Sequence, residues 1–279
     1  MSHLKLFKYA GSKNKYLDII LPLIDTKKHL IEPFLGSAAV SLNVNNKTLA
    51  FDYNERLIDL FNGFKIINIE QYIKLYNCKD PELIPNDHQS YYSYRNYYNL
   101  NYDSLNLPQK AVHQQKLFQC CLNSLARWGP NGFNQSFGSR SHSMLDLCML
   151  KKIIERCQNI DFKQADFFNL GALDNKDTTW FLDPPYYKNP INYKSNFNNL
   201  KTKIFIGMIE EFHGNVIYTD TIHEYNAHLL TSWNCVKLDN LWTTSTKPRK
   251  DNTSVDNPEY IFCNFEIQKQ TTSDLSEFF

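Results

Sequence analysis

The sequence predicts an α/β protein in which one mainly parallel sheet is interrupted by a mainly helical insertion. Three observations lead there. Residues 1–68 alternate strand-like and helical patterns, the alternation stops over 69–142, and it resumes over 143–279. Those ranges are the expected boundaries, with the insertion lying between two parts of one sheet domain.

The elements follow in order. Residues 16–24 (YLDIILPLI) form a short apolar segment. His29–Glu32 reads as a buried strand ending at Pro33, and residues 37–43 (SAAVSLN) as a small-residue helix start capped by Ser37. Thr48–Asp52 reads as a second strand, and 54–64 as a helix with apolar residues at 57, 58, 60, 61 and 64. Within the insertion, Tyr91, Tyr92, Tyr94, Tyr97, Tyr98 and Tyr102 have partly helical spacing. Residues 107–125 form an amphipathic segment opened by Pro108. The stretch RWGPNGFNQSFG at 127–138 is dense in turn residues and predicts a polar hairpin. A helix at 145–157 and strands at 160–164 and 180–182 come next, followed by a helix near 200–212 and a strand at 216–218. A helix at 223–232 and strands near 235–238 and 259–266 complete the pattern.

Composition narrows the class. The 279 residues, 42% of them hydrophobic, can bury one sizeable core or two small ones. A net charge of +1 excludes a histone-like basic binder and an acidic tail but leaves room for a local basic face. Mean hydropathy is −0.48, and no apolar run approaches the roughly 20 residues of a membrane span. The seven cysteines have no metal-like spacing, which fits reduced thiols. With no apolar export signal at the N-terminus, the expectation is cytoplasmic. The histidines are scattered and neither H-x-x-H nor C-x-x-C occurs, so no metal site is expected.

The sharpest local signal is Trp180-Phe181-Leu182-Asp183-Pro184-Pro185-Tyr186-Tyr187. A buried strand delivers a carboxylate to its carboxyl end, where open α/β sheets place their ligands. Two prolines then stiffen the chain and remove N–H donors. Asp183 and the Pro184 carbonyl can both accept from one NH2 group, while Tyr186 offers a flat face, a set that suits the exocyclic amine of a nucleobase. A second strand end, Ile31-Glu32-Pro33-Phe34-Leu35-Gly36-Ser37, has a glycine that permits close approach of a ligand, but it is not a G-x-G-x-x-G fingerprint. Asp52 lies 16 residues beyond Gly36 and is placed either to bind ribose hydroxyls or to cap the next helix. Near the N-terminus, Lys8-Tyr9-Ala10-Gly11-Ser12-Lys13 joins an aromatic ring, a glycine and two lysines.

Together these residues resemble the Dam-like (DPPY-type) N6-adenine DNA methyltransferase family. That family's order is K-x-x-G-x-K, a P-F-x-G turn, an acidic strand end, a DNA-reading insertion, then D-P-P-Y. Here the order is Lys8 to Lys13, Pro33-Phe34-Leu35-Gly36, Asp52, the insertion, then Asp183-Pro184-Pro185-Tyr186. The resemblance implies a Rossmann-like S-adenosylmethionine-dependent methyltransferase sheet with a mainly helical DNA-recognition insertion. It assigns Asp183, Pro184 and Tyr186 to catalysis, and Tyr9, Lys13, Phe34, Gly36 and Asp52 to S-adenosylmethionine. Asp166-Phe167 takes the place where the family packs an aromatic ring on the cofactor's adenine, and Tyr193 matches a further position near the cofactor. Residues 123–140 resemble the family's target-recognition hairpin, which ends F-N-V-P-F-G. Here the end is Phe133-Asn134-Gln135-Ser136-Phe137-Gly138, with Ser136 in place of proline. Ser37-Ala38 replaces the second half of the usual P-F-x-G-x-G turn.

The implied activity is methyl transfer to N6 of an adenine rotated out of double-stranded DNA, with GATC, the family's commonest target, as the expected site. Charge agrees with that partner. Residues 89–142 carry five basic residues against one acid, and 188–203 carry four lysines and no acid. Arg95, Lys116, Arg127, Asn134, Arg140, Lys188 and Lys194 are the expected DNA-binding residues. Arg127 or Arg140 would read a guanine edge or make one more phosphate contact. A monomer without membrane contact, with a restriction endonuclease as counterpart, completes the expectation. The alternatives are a catalytically degenerate DNA-binding module of the same fold and an N4-cytosine methyltransferase.

Overall fold

The computed structural model describes residues 3–77, 85, 87–124, 126–138, 143–187, 198–238 and 258–267. In chain order the strands are β1 (His29–Glu32), β2 (Thr48–Asp52), β3 (Trp128–Gly129), β4 (Gly132–Phe133), β5 (Ile160–Gln164), β6 (Thr178–Leu182), β7 (Asn215–Thr221), β8 (Asn234–Leu238) and β9 (Glu259–Cys263). The helices are α1 (Leu17–Ile20), α2 (Glu55–Ile66), α3 (Ile69–Tyr76), α4 (His88–Asn101), α5 (Leu107–Cys120), α6 (Leu147–Gln158), α7 (Asn199–Glu210) and α8 (Leu229–Ser232).

Seven strands form one sheet in the order β5-β2-β1-β6-β7-β9-β8, and β3 pairs with β4 in a separate hairpin. Strands β5, β2, β1, β6 and β7 are parallel, whereas β9 runs antiparallel between β7 and β8. The chain builds outward from β1 in one direction and from β6 in the other, so β1 and β6 flank the topological switch point of a Rossmann-like sheet. Every residue of β6 is buried, as a central parallel strand requires. Because β9 is reversed, its first residue, Glu259, lies opposite Thr221, the last residue of β7. The start of β9 therefore shares a sheet end with the carboxyl ends of the parallel strands.

The insertion does not stand apart from the sheet. Tyr72, Tyr94, Tyr98, Val112, Leu117 and Phe133 belong to one apolar cluster with Leu57, Phe61 and Phe64 of α2, Ile153 of α6 and Ile160 of β5. Gly63 makes that packing possible, because a Cβ there would lie 2.3 Å from the Leu107 carbonyl oxygen. No helix of the described residues is long and apolar enough to cross a membrane.

Three expectations are corrected. Residues 37–43 do not open an α-helix. Gly36 and Ala38 both have left-handed backbones (φ +48° and +55°), and only a short 3-10 turn follows at Ser41–Asn43. The buried Glu32 carboxylate accepts from both the amide (3.0 Å) and the hydroxyl of Ser41, tying this segment to the end of β1. The segment 107–125 is not amphipathic. Helix α5 stops at Cys120 and is buried around most of its circumference, including His113, Gln114, Gln115 and Lys116. These polar side chains have internal partners: Gln114 Nε2 donates to the Arg56 carbonyl (2.7 Å), Gln115 Oε1 accepts from the Tyr72 hydroxyl (2.9 Å), and His113 Nδ1 meets the Tyr94 hydroxyl (2.7 Å). Finally, of 223–232 only Leu229–Ser232 is helical. Asn226 Oδ1 captures the His223 amide at 2.8 Å and folds the preceding residues into a turn.

Candidate active site

Asp183 emerges from β6 with two prolines behind it, so its position is set by a buried strand on one side and a stiff bend on the other. Its Oδ1 accepts from Lys13 Nζ at 2.6 Å and from Thr219 Oγ1 at 2.9 Å. Thr219 reaches it because Leu182 pairs with Tyr218, which sets the next residue of each strand side by side. Among the described residues no hydrogen bond reaches Asp183 Oδ2.

Lys13 Nζ is shared. Besides Asp183 it meets Glu259 Oε1 at 3.1 Å and the Gly11 carbonyl at 3.2 Å, and it lies 5.1 Å from the centre of the Tyr186 ring. The Tyr186 hydroxyl in turn donates to Glu259 Oε1. The side chains are secluded, with Lys13 6%, Glu259 13% and Asp183 17% exposed. Burial pulls the Lys13 ammonium down, but Asp183 and Glu259 outweigh it and hold the group above its ordinary value. Burial raises the Asp183 carboxyl, Lys13 opposes and Glu259 adds to it, leaving Asp183 above the usual carboxylate range. Burial, with Asp183 and Glu259 nearby, pushes the Tyr186 hydroxyl well up.

At the neighbouring strand ends, Asp52 accepts from the Gly36 amide (3.1 Å) through Oδ2 and from the Asn54 amide (2.8 Å) through Oδ1. Burial pushes its carboxyl up to about 6 against those two donors. A Cβ on Gly36 would sit 3.3 Å from the Tyr9 ring, so the turn and the ring are closely fitted. Phe34 stacks on Phe167 with ring centres 5.4 Å apart and planes 25° from parallel. Asp166 caps the turn that carries Phe167 by accepting from the Phe168 amide (3.2 Å), and lies 3.9 Å from Lys201 Nζ. Among the described residues the Asn14 Oδ1 atom is buried without a partner. A half-buried carboxylate, an aromatic slab and, linked to Ser37 through Ser12, an orphaned acceptor fit a nucleoside-bearing ligand.

On the hairpin, Arg127 is exposed and its guanidinium is braced: Nε donates to Asn134 Oδ1 (2.9 Å) and Nη2 to the Asn134 carbonyl (3.3 Å). Helix α4 holds the hairpin in place. Asn99 exchanges hydrogen bonds with the Phe133 amide and carbonyl (both 2.8 Å), and the Gln135 carbonyl accepts from Tyr91 (2.9 Å) and Arg95 (3.1 Å). Lys116 requires a correction. It is 1% exposed, with Nζ 4.9 Å and 5.9 Å from the ring centres of Tyr76 and Tyr94, so it is an interior residue and not a phosphate contact. Arg140, Lys188, Tyr193 and Lys194 lie outside the described residues.

Two residues of this cluster escape sequence reasoning: Thr219 and Glu259. Thr219 becomes visible only once β7 is paired with β6. Glu259 opens a strand pattern, and a reversed strand presents its first residue at the ligand end of the sheet; the orientation of β9 was the signal needed.

Comparison with known proteins identifies the family. The profile of the D12 class N6 adenine-specific DNA methyltransferases matches residues 9–255. The chain is 30% identical over 203 residues to the DNA adenine methylase of Haemophilus influenzae, covering 71% of this chain and 68% of that one. It is 28% identical over 200 residues to the DNA adenine methylase of Escherichia coli K12 (71% and 69% covered) and 25% over 195 residues to that of Vibrio cholerae (69% and 68%). A profile match across most of the chain, with the D-P-P-Y turn seated at the switch point of the sheet, makes this chain a member of the D12 class N6 adenine-specific DNA methyltransferase family.

Proposed function

We propose that this DNA adenine-N6 methyltransferase uses S-adenosylmethionine and acts on an adenine rotated out of the duplex, with Asp183, Pro184 and Tyr186 as its catalytic turn. The observation that carries this reading is the state of Asp183. Lys13 and Thr219 occupy Oδ1, leaving Oδ2 for an incoming donor. Tyr186 supplies the stacking face, and the Pro184 carbonyl supplies a second acceptor for the N6 amino group. Accepting both hydrogens turns the nitrogen lone pair away from the turn and toward the methyl donor. Positioning and electrostatics then supply most of the rate, without a covalent enzyme intermediate.

When bound, S-adenosylmethionine supplies an electrophilic methyl group on a sulfonium. Tyr9, Phe34, Gly36, Asp52, Asp166 and Phe167 would hold it, with Asp52 accepting from ribose hydroxyls and the Phe34–Phe167 pair packing on a ring. Residues 69–142 serve as the target-recognition insertion, with Arg127 on the braced hairpin aimed at a base edge or phosphate. Rotating the base out costs a few kcal/mol, which the stacking surface of Tyr186 offsets.

The test is Asp183→Ala in the full-length protein. Methyl transfer to duplex DNA should be lost while binding of DNA and of S-adenosylmethionine persists; near-normal turnover would refute the assignment. Mapping N6-methyladenine in DNA from cells expressing the wild-type protein identifies the target, beginning with GATC.

A further inference from the structure

We propose that Glu259 is a positioning residue of the transfer site, holding Lys13 between two carboxylates and anchoring the Tyr186 hydroxyl so that Asp183 and the stacking ring stay in register. The reversed strand β9 sets Glu259 opposite Thr221, beside the ends of β6 and β7. From there one carboxylate oxygen accepts from both Lys13 Nζ, at 3.1 Å, and the Tyr186 hydroxyl. Lys13 thus has three acceptors, Asp183 Oδ1, Glu259 Oε1 and the Gly11 carbonyl, at 2.6, 3.1 and 3.2 Å. One buried ammonium serves two largely secluded carboxylates, an arrangement that desolvation makes costly unless geometry and charge are both used.

Both are used here. Without Glu259 the Tyr186 hydroxyl would lose its acceptor in a buried setting, and the ring would lose its tether. Lys13 would then face a single carboxylate, Asp183, beside the Gly11 carbonyl, and a carboxylate neutralised by a private ammonium is a weaker acceptor for an amino group. The charged and titratable groups around Asp183 are Lys13 from the N-terminal segment, Glu259 from β9, Tyr186 on its own bend, Glu32 from the end of β1 and Tyr218 from β7. Of these, Glu259 raises the Asp183 carboxyl and Lys13 lowers it. Removing either charge should therefore move Asp183 in opposite directions.

This inference rests on the reading of Asp183 as the acceptor for N6, and the experiment separates the two. Single-turnover methyl transfer to duplex DNA is measured from pH 5 to 9 for the wild type, Glu259→Gln, Lys13→Met, the double variant and Asp183→Asn. Glu259→Gln should bind S-adenosylmethionine and DNA normally but transfer about tenfold to a hundredfold more slowly. Its acid limb should lie at lower pH than that of the wild type, and the limb of Lys13→Met at higher pH. An unchanged rate, or a Glu259→Gln limb coincident with the wild type, overturns the proposal. Should Glu259→Gln alone not fold, the double variant removes both buried charges together; a limb identical to that of Lys13→Met overturns the proposal in the same way. An active Asp183→Asn would instead refute the underlying reading of Asp183.

Discussion

Lys13 and Asp183, 170 positions apart in sequence, meet at 2.6 Å beside the ring of Tyr186. A buried ion pair of this kind is weak evidence for stability, because desolvation offsets much of the attraction. Its consequence is geometric: with Thr219 it fixes one oxygen of Asp183 and leaves the other available. Thr219→Val removes one of the two donors on Oδ1 while keeping the shape of the side chain. Single-turnover transfer should fall by about tenfold, roughly the value of one hydrogen bond to a charged group, and Thr219→Ser should restore it. Equal rates for the Val and Ser variants would show that the hydroxyl plays no part.

If Asp52 holds the methyl donor as proposed, binding of that donor should depend on pH. Burial raises its carboxyl to about 6, and only the ionised form accepts from both hydroxyls of a ribose. Affinity for S-adenosylmethionine should hold from pH 8 to 7 and fall as pH drops through 6, by up to about tenfold per pH unit below that value. Asp52→Asn should bind more weakly at pH 8 and show no such decline. Calorimetric titration across this range measures both; a flat wild-type profile would contradict the role given to Asp52.

Glu32 should make the fold less stable as pH rises. Burial pushes its carboxyl up to about 8, against the two Ser41 donors, whereas an unfolded glutamate titrates near ~4.3. Between those values the folded state holds a proton that the unfolded state releases, so stability declines with increasing pH. Glu32→Gln preserves the shape and removes the titration. The variant should melt with the wild type near pH 5 and above it at pH 8.5, by about 2–4 °C for each kcal/mol recovered. Parallel melting curves for the two proteins at every pH would rule this out.

Arg127 offers the recognition test. Asn134 occupies its Nε and one Nη2 hydrogen, which leaves the Nη1–Nη2 edge for a paired contact with guanine. Asn134→Ala should free the guanidinium and reduce discrimination against single-base changes in the target by about tenfold, a value within the usual range for one bidentate contact. Gly129→Ala should act alike, because its Cβ would lie 2.6 Å from Asn134 Nδ2. Methylation rates on a panel of substituted duplexes decide the matter; discrimination retained in both variants would show that the brace is irrelevant to base reading.

Much of the framework around this site is legible in the sequence. Buried parallel strands are short apolar runs that end in a polar residue, so β1, β2 and the Asp183 bend could be read directly, and the edge strand β5 from its alternation of buried and exposed residues. What could not be read depended on neighbours distant in sequence. Residues 37–43 have helix-like composition, yet Glu32 captures Ser41 and Ala38 takes a left-handed turn. Lys116 carries a charge that suggests a surface position, but its helix is enclosed by α2, α3 and α4 and the ammonium rests among tyrosine rings. Thr219 and Glu259 reach Asp183 and its partners through strand pairing alone, and local periodicity carries no trace of it.

The enclosure of α5 bears on how specificity can be altered. Its Gln114 and Gln115 side chains donate to the Arg56 and Leu6 carbonyls, outside the insertion, and Gly63 of α2 presses on its first turn. Cutting out residues 69–142, or grafting in the equivalent stretch of a relative, would strip buried partners from the segments outside it, at Leu6, Arg56 and Gly63. If residues 69–142 read the target as proposed, they and the sheet are not interchangeable cassettes. On the proposed reading, new target preferences are to be sought by point changes on the exposed rim of the hairpin, where Arg127, Asn131, Asn134 and Ser136 face solvent.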